Sequence, residues 1–306
     1  MPAIYAHARF GNDVLDLLTD SAVDSTVDST MDSTMNSTMD SAADAAPSTA
    51  PAAARIIRAN RPLFDIGLQG PDIFFYYNPL HHNPIGQLGS DHHEKSGREV
   101  FTHFSDCLSG ASPAHIAYLY GFLCHYALDV TCHRYVDQTA AETGITHLAL
   151  ESEFERFLME TDGVDPLSEV LTKSIRPSLA SACIISRFFA ADSSSSTDET
   201  FADAFAIQKS LNMIVRYHAF LRSPGKNLPG RFKRSVLKNG MKLAGISGFL
   251  IPDAPDPRCV KTNAELIRLY EKALPLAADM IERFLSDPEL LSDPVFDRNF
   301  ESQIPQ

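Results

Sequence analysis

Three side chains that commonly bind metal ions follow one another at intervals of four residues in the segment GFLCHYALDVTCHRY: His125, Asp129 and His133. His147 and Glu151 repeat the same spacing a little further on. Residues four apart on a helix differ by only about 40° in direction, so each pair projects from one face. Imidazoles and carboxylates are zinc ligands in hydrolytic sites. The spacing therefore predicts metal ligands on two helices.

The helix that carries Asp129 is predicted to be buried, because apolar residues surround it on nearly every side. Between Ala114 and His133 the chain has no Lys, Arg or Glu that could neutralise the carboxylate. An ionised carboxylate in such a place is costly unless it is paired or binds a cation. The alternative is a set of core histidines with a capping or ion-paired carboxylate. The two four-residue patterns, at 125–133 and at 147–151, together favour metal binding.

The length of this helix predicts more than one ion. At about 1.5 Å per residue, His125 and His133 are separated by about 12 Å along the axis. Zinc–ligand bonds are only about 2 Å long, so one ion cannot bind at both ends. On the second helix, Glu151 lies beside His147 on the apolar arc, whereas Glu153 points elsewhere. Glu151 is therefore the better candidate ligand.

The bulk composition is that of a soluble globular protein. The chain has 306 residues, 44% of them hydrophobic, and a net charge of −13, which argues against nonspecific nucleic-acid binding. The five cysteines have no CxxC spacing and are predicted to be free thiols. No signal-like segment and no run of about 20 apolar residues is evident. These features predict a cytoplasmic location.

Most of the chain is predicted to be helical, because apolar residues recur at intervals of three and four and few segments alternate. A tetrapeptide repeat at 22–42 is polar, acidic and free of aromatic residues. It predicts a disordered low-complexity insertion at 21–54, with a further exposed loop at 191–199. The prediction is an all-α protein of one domain, 1–306. Helices are expected at 12–18, 54–60, 97–108, 114–135, 147–159, 166–190, 200–221, 231–244 and 262–286.

The segment 222–251 combines two features of a surface that meets lipid. Seven Lys and Arg residues and no acidic residue occur in 222–242, and the apolar run LAGISGFLI follows at 243–251. This pattern is compatible with peripheral contact with a membrane surface. The commoner alternative is a solvated helix face.

Several motifs in order resemble the bacterial zinc-dependent phospholipase C family, within the all-helical superfamily that includes secreted phospholipases C and P1-type nucleases. They are MPAIYAHARFG at the start, LFDIGLQGPDIFFYYNPL (63–80), LGSDHHEKSGREVF (88–101), GFLCHYALDVTCHRYV (121–136) and HLALESEFERFL (147–158). The resemblance covers roughly residues 1–160 and implies a helical bundle of the phospholipase C/P1 nuclease type. It further implies a cleft that holds two or three zinc ions.

The resemblance also implies which residues bind them. The sets are His93, His125 and Asp129 for one ion, with Asp129 also reaching another; His133, His147 and Glu151 for a second; and His7 for a third.

Asp72, in the GPD motif, matches the family's acidic residue that orients the nucleophilic water. Its alternative role is that of a turn or cap residue after Gly70 and Pro71. His92 is the alternative to His93. Secreted relatives also use an N-terminal tryptophan as a ligand, and this chain contains no tryptophan. The third ion would therefore lack that ligand in this chain.

The expected function is hydrolysis of phosphate esters by a zinc-dependent phospholipase C-like enzyme, which would cleave phospholipid to diacylglycerol and a phosphorylated head group. A nuclease or phosphomonoesterase acting at the same site, or a non-catalytic zinc-binding protein, are the alternatives. No basic groove with base-stacking aromatic residues is recognisable, which favours lipid over nucleic acid.

Overall fold

The longest helix of the computed structural model, α6 (Pro113–Thr143), is buried along most of its length. Ser112 precedes it and forms a reciprocal capping arrangement with His115. Gly144 ends it with a φ of 69°, in the left-handed region that favours glycine. Because α6 is so buried, the polar side chains on its buried faces are shielded from bulk water.

The structure describes residues 3–28, 52–79, 81–190, 201–222, 228–243 and 247–305. The helix α3 (Arg61–Gly67) and the C-terminal helix α11 (Val260–Arg283) pack closely on α6. A 3-10 helix, Gly70–Tyr76, connects α3 to α4 (Pro84–Glu94). The other α-helices are α1 (Ile4–Asp28), α2 (Ala52–Ala59), α5 (Gly97–Asp106), α7 (His147–Thr161), α8 (Leu179–Ser186), α9 (Ala204–Leu221) and α10 (Leu228–Leu243).

The all-α prediction is confirmed. Across the described ranges there is no β-strand, and one isolated bridge joins Ser96 to Asn299. No described helix is long and apolar enough to cross a bilayer. The predicted helices that correspond to observed ones are those at 12–18, 54–60, 97–108, 114–135, 147–159, 200–221, 231–244 and 262–286.

The helix predicted at 166–190 is wrong over its first half and its last four residues. Only α8 is helical there, and residues 166–178 form turns and extended segments. Pro177 keeps the end of this stretch out of a helix, since a proline disfavours the helical conformation of the residue before it. Ser178 then caps α8 by accepting a hydrogen bond from the Ser181 N–H.

Two observed helices, α3 and α4, were not predicted, and two others, α1 and α2, extend into the predicted insertion. The helix α3 has only seven residues, and α4, PIGQLGSDHHE, has few large apolar residues, so neither shows a clear apolar period. Of the expected insertion at 21–54, residues 29–51 lie outside the described residues, while 21–28 and 52–54 belong to α1 and α2. The loop predicted at 191–199 also lies outside them.

Two glycines allow α3 to approach α6. A Cβ on Gly67 would lie 2.2 Å from the backbone oxygen of Tyr118, and a Cβ on Gly121 would lie 2.2 Å from that of Phe64. Both contacts are with backbone atoms, which a side-chain rotation cannot relieve. This close packing fixes the segment that follows α3, and that segment carries Asp72.

Replacing Gly121 with Ala is expected to lower the free energy of unfolding by about 1–3 kcal/mol, because the added methyl group must push α3 away from α6. Urea denaturation monitored by circular dichroism measures this. Gly240→Ala is the matched control, since a Cβ on Gly240 would meet nothing within 4 Å. That helical change should stabilise the protein by up to about 1 kcal/mol. Equal stability of Gly121→Ala and the wild type would contradict the close packing.

Candidate metal centre

Asp129 of α6 lies among three buried imidazoles. Its Oδ2 is 3.0 Å from Nε2 of His125, one turn earlier on the same helix. Its Oδ1 is 3.4 Å from Nε2 of His7 and 3.7 Å from Nε2 of His133. The four side chains are each at most 3% exposed. The side chains that the four-residue spacing predicted to share one face therefore meet around the Asp129 carboxylate.

A second carboxylate reaches the same place from the 3-10 helix after α3. Asp72 Oδ1 lies 3.2 Å from Nε2 of His93, which is near the end of α4. Together with His125 these side chains offer three ligand atoms within 4.8 Å of one another. His125, Asp129 and His7 form another such group. The two groups share His125.

The third group joins α6 to the start of α7. Glu151 Oε1 lies 3.0 Å from Nε2 of His147 and 3.3 Å from Nε2 of His133. Their ligand atoms also lie within 4.8 Å of one another. Thr146 caps α7 by accepting a hydrogen bond from the Ala149 N–H, which places His147 in the first turn of the helix.

These spacings suit bound cations better than hydrogen bonds. Two ligands held about 2.0–2.1 Å from one tetrahedral zinc lie about 3.3 Å from each other. Nε2 of His93, Nε2 of His125 and Oδ2 of Asp129 are buried, and none has a hydrogen-bond partner in the part of the chain that the structure describes. Buried polar atoms without a hydrogen-bond partner are rare, and these three are all of the kinds that bind metal ions. The residues therefore fit a multinuclear zinc site.

The chain orients four of the imidazoles through their other ring nitrogen. Each Nδ1 lies within hydrogen-bond distance of an acceptor oxygen, so the proton is assigned to Nδ1 and the Nε2 lone pair is left for a cation. The acceptors are Gly89 O for His93 at 2.7 Å, Leu68 O for His125 at 3.2 Å, Phe300 O for His133 at 2.9 Å and Asp137 Oδ1 for His147 at 2.7 Å.

His7 is held in a different way. It lies in the first turn of α1, where the N–H groups of Tyr5 and Ala6 donate to Glu155 Oε1 of α7. Its ring stacks on His125 with centroids 4.3 Å apart. Burial lowers the pKa of His7, so the ring is neutral and suited to binding a cation.

Gly70 makes room for one of these rings. Its φ is 51°, in the left-handed region, and a Cβ there would lie 2.2 Å from Cδ2 of His125. The glycine of the GPD motif is therefore explained by two needs, the turn itself and the close approach of an imidazole.

The carboxylates and imidazoles of the centre shift one another's pKa values. Burial alone would raise the pKa of Asp129, but His125 and His133 outweigh it and hold that pKa well below its usual range. Burial alone would lower the pKa of His133, but Asp129 and Glu151 raise it to about 10. A cation that binds at His133 must therefore displace a proton at neutral pH.

Every predicted site residue lies in this cluster, but the grouping differs from the one that the resemblance implied. Asp72 joins His93 and His125 in a ligand group, in place of Asp129. His93, not His92, faces the cluster. The Nδ1 of His92 lies 2.9 Å from Leu88 O, and its ring packs on Phe189.

The sequence profile described as zinc-dependent phospholipase C matches residues 37–208, more than half of the 306 residues. The chain belongs to the zinc-dependent phospholipase C family. No curated protein and no solved structure gives a significant match. The matched range contains Asp72 and the ligand groups on α4, α6 and α7, whereas His7 precedes it. The family thus supports zinc as the cation.

Two carboxylates at this zinc-dependent phospholipase C centre were not predicted. Asp137 contacts Nδ1 of His147 at 2.7 Å, and Glu301 Oε2 lies 3.5 Å from Nδ1 of His133. Asp137 follows His133 by four residues, and this continued spacing could have predicted it. Glu301 comes from the far end of the chain, where no local pattern marks it.

Replacing Asp137 with Asn is expected to weaken zinc binding at His147 by about 10- to 100-fold, because the imidazole loses the anion that orients it and increases its basicity. Competition with a fluorescent zinc chelator measures the change. Glu142→Gln, at an exposed position on the same helix, is the control and should leave affinity unchanged. Equal affinity of both variants would show that Asp137 does not position His147.

Proposed function

We propose that this protein hydrolyses the phosphodiester of phospholipids as a zinc-dependent phospholipase C, releasing diacylglycerol and a phosphorylated head group. The observation that carries the proposal is the set of three buried groups of imidazoles and carboxylates, two of which share His125. The family supports phospholipid as the class of substrate. Separate groups this close together suit a reaction in which several negatively charged oxygens must be bound at once.

The ligand assignment follows the observed groups. Asp72, His93 and His125 would hold one ion, and His133, His147 and Glu151 would hold a second. His7 and Asp129 would contribute to a third. Asp129 lies within 4 Å of imidazoles from the different groups, so its two oxygens are placed to serve neighbouring ions.

A phosphodiester resists attack because its own negative charge repels a nucleophile. When bound, zinc supplies positive charge for the phosphoryl oxygens and the departing alkoxide, and it promotes ionisation of water. The chain holds that charge in a buried position, where electrostatic interactions are strong. Asp72, 5% exposed and beside His93, orients the attacking water and accepts its proton.

Removal and return of the metal tests the proposal. Dialysis against a chelator is expected to lower the hydrolysis of phosphatidylcholine at least 100-fold, and added zinc should restore it, because every charge-stabilising position depends on the ion. Chromatography should identify diacylglycerol and phosphocholine as the products.

Other outcomes would contradict the proposal in separate ways. Bound zinc without hydrolysis of any phosphodiester would identify a non-catalytic zinc-binding protein. Cleavage of single-stranded nucleic acid or of a phosphomonoester, with phospholipid left intact, would assign the site to those substrates instead.

A further inference from the structure

The helix α10 has two apolar faces, and protein covers one of them. Leu237 and Met241 are on the inner face and pack with Leu221 and Leu250 in a small cluster beside the main core. This contact holds the helix on the protein. At about 100° per residue, these two side chains lie about 40° apart around the axis.

The other apolar face points into solvent. Phe232 is 71% exposed, Val236 is 56% exposed and Leu243 is 91% exposed. The same 100° rule places these three within about 40° of one another, roughly opposite Leu237 and Met241. They form an outward apolar ridge along α10. Large exposed apolar side chains that share one stripe mark an interaction surface.

Cations lie beside this ridge. The α10 segment LPGRFKRSVLKNGMKL contains five Lys and Arg residues and no acidic residue, in a chain whose net charge is −13. Lys238 and Arg234 pair with Asp253, which leaves the helix surface positive overall. Lys233 lies over the ring of Phe220, itself 58% exposed, at 5.5 Å from its centroid.

We propose that the outward ridge of α10 docks on an anionic lipid bilayer surface. Phe232, Val236 and Leu243 insert among the upper acyl chains, and the net positive charge of the helix attracts the negative head groups. Because an anionic surface repels the rest of this acidic chain, the positive helix also sets the orientation in which the protein binds the bilayer.

The charge of α10 also favours lipid over a second copy of the chain as the occupant. A two-fold contact through this ridge would place each basic helix against its copy. Like charges would then face one another across a narrow apolar stripe. An anionic bilayer complements both the apolar ridge and its cations.

The turn that follows α10 lies against the helix that carries His147 and Glu151. The 3-10 turn Ser247–Phe249 that follows α10 packs on α7, where Gly248 O accepts a hydrogen bond from the Ser152 hydroxyl. A Cβ on Gly248 would lie 3.0 Å from Leu148, which follows His147 directly. The purpose of docking, delivery of lipid phosphodiesters to that centre, rests on the proposed function, whereas docking itself does not require hydrolysis.

Vesicle sedimentation with the full chain tests the docking surface. Asp72→Asn protein is used so that hydrolysis cannot remodel the lipid, with vesicles of phosphatidylcholine alone or with about 30% phosphatidylserine. Phe232→Ser is expected to lower the partition coefficient on the anionic vesicles about tenfold or more, because a buried phenyl ring is lost. Phe205→Ser, at a phenylalanine of equal 71% exposure on α9, should change it less than twofold.

Three results would overturn the docking proposal: equal binding of the two serine variants, binding indifferent to phosphatidylserine, or a dimer in solution that Phe232→Ser converts to a monomer. In the native Asp72 background, Phe232→Ser should leave hydrolysis of a short-chain, monomeric phosphatidylcholine unchanged. If no form of the protein hydrolyses that substrate, the function proposal fails while the vesicle result still decides the docking surface.

Discussion

Glu151→Gln is expected to remove about one zinc ion per chain and to lower phospholipid hydrolysis about 1000-fold. The glutamine keeps the size of the side chain but loses its negative charge. His133 and His147, now 3.3 and 3.0 Å from a neutral amide, lose the anion that completes their ligand group. The measurements are zinc per chain by mass spectrometry and turnover of phosphatidylcholine at saturating zinc.

Glu153→Gln is the matched control for this prediction. Glu153 is on the same helix and as deeply buried, at 3% exposed against 8% for Glu151. It faces away from the metal centre and accepts a hydrogen bond from the Asp256 N–H, which a glutamine oxygen can also accept. Zinc content and turnover should stay at wild-type levels. Loss of zinc from both variants, or from neither, would contradict the second ligand group.

Asp72→Asn is expected to reduce turnover by about 100- to 10,000-fold, the range typical of a missing general base. An amide cannot accept the proton of the attacking water, and it is a weaker ligand beside His93 and His125. The ion of the group at His133 should remain. Steady-state hydrolysis at saturating zinc, with zinc content measured on the same sample, separates loss of chemistry from loss of metal.

Asp65→Asn controls for the loss of a buried carboxylate in the same region. Asp65 is 6% exposed on α3 and pairs with Arg61 rather than with the metal centre. The Asp65→Asn variant should lower the free energy of unfolding and leave turnover per folded molecule unchanged. Unchanged turnover in Asp72→Asn would remove Asp72 from the reaction and leave it as a turn residue of the GPD motif.

The sequence predicted those parts of the centre that local periodicity encodes. Four-residue spacing placed His125, Asp129 and His133 on one face of α6, and the structure brings their ligand atoms together around Asp129. The same spacing paired His147 with Glu151 and separated Glu153 from them. Helix geometry fixes such relations whatever the rest of the fold does.

Relations between distant segments needed the folded structure. Asp72 and His93 are brought to His125 by the close packing of α3 on α6, which depends on glycines whose role no periodicity reveals. The acceptor for Nδ1 of His133 is the carbonyl of Phe300, a backbone group that any residue carries. Backbone acceptors leave no signature in side-chain type, so orientation of the imidazoles could not be predicted.

Diffraction at the zinc absorption edge from crystals of the zinc-loaded protein tests the central claim most directly. Anomalous peaks are expected within about 2.3 Å of Nε2 of His93 and His125 at one position and of Nε2 of His133 and His147 at another. A further peak is expected between His7 and Asp129. Peaks elsewhere on the chain, or no peak among these side chains in zinc-saturated crystals, would contradict the account of a metal-dependent hydrolase.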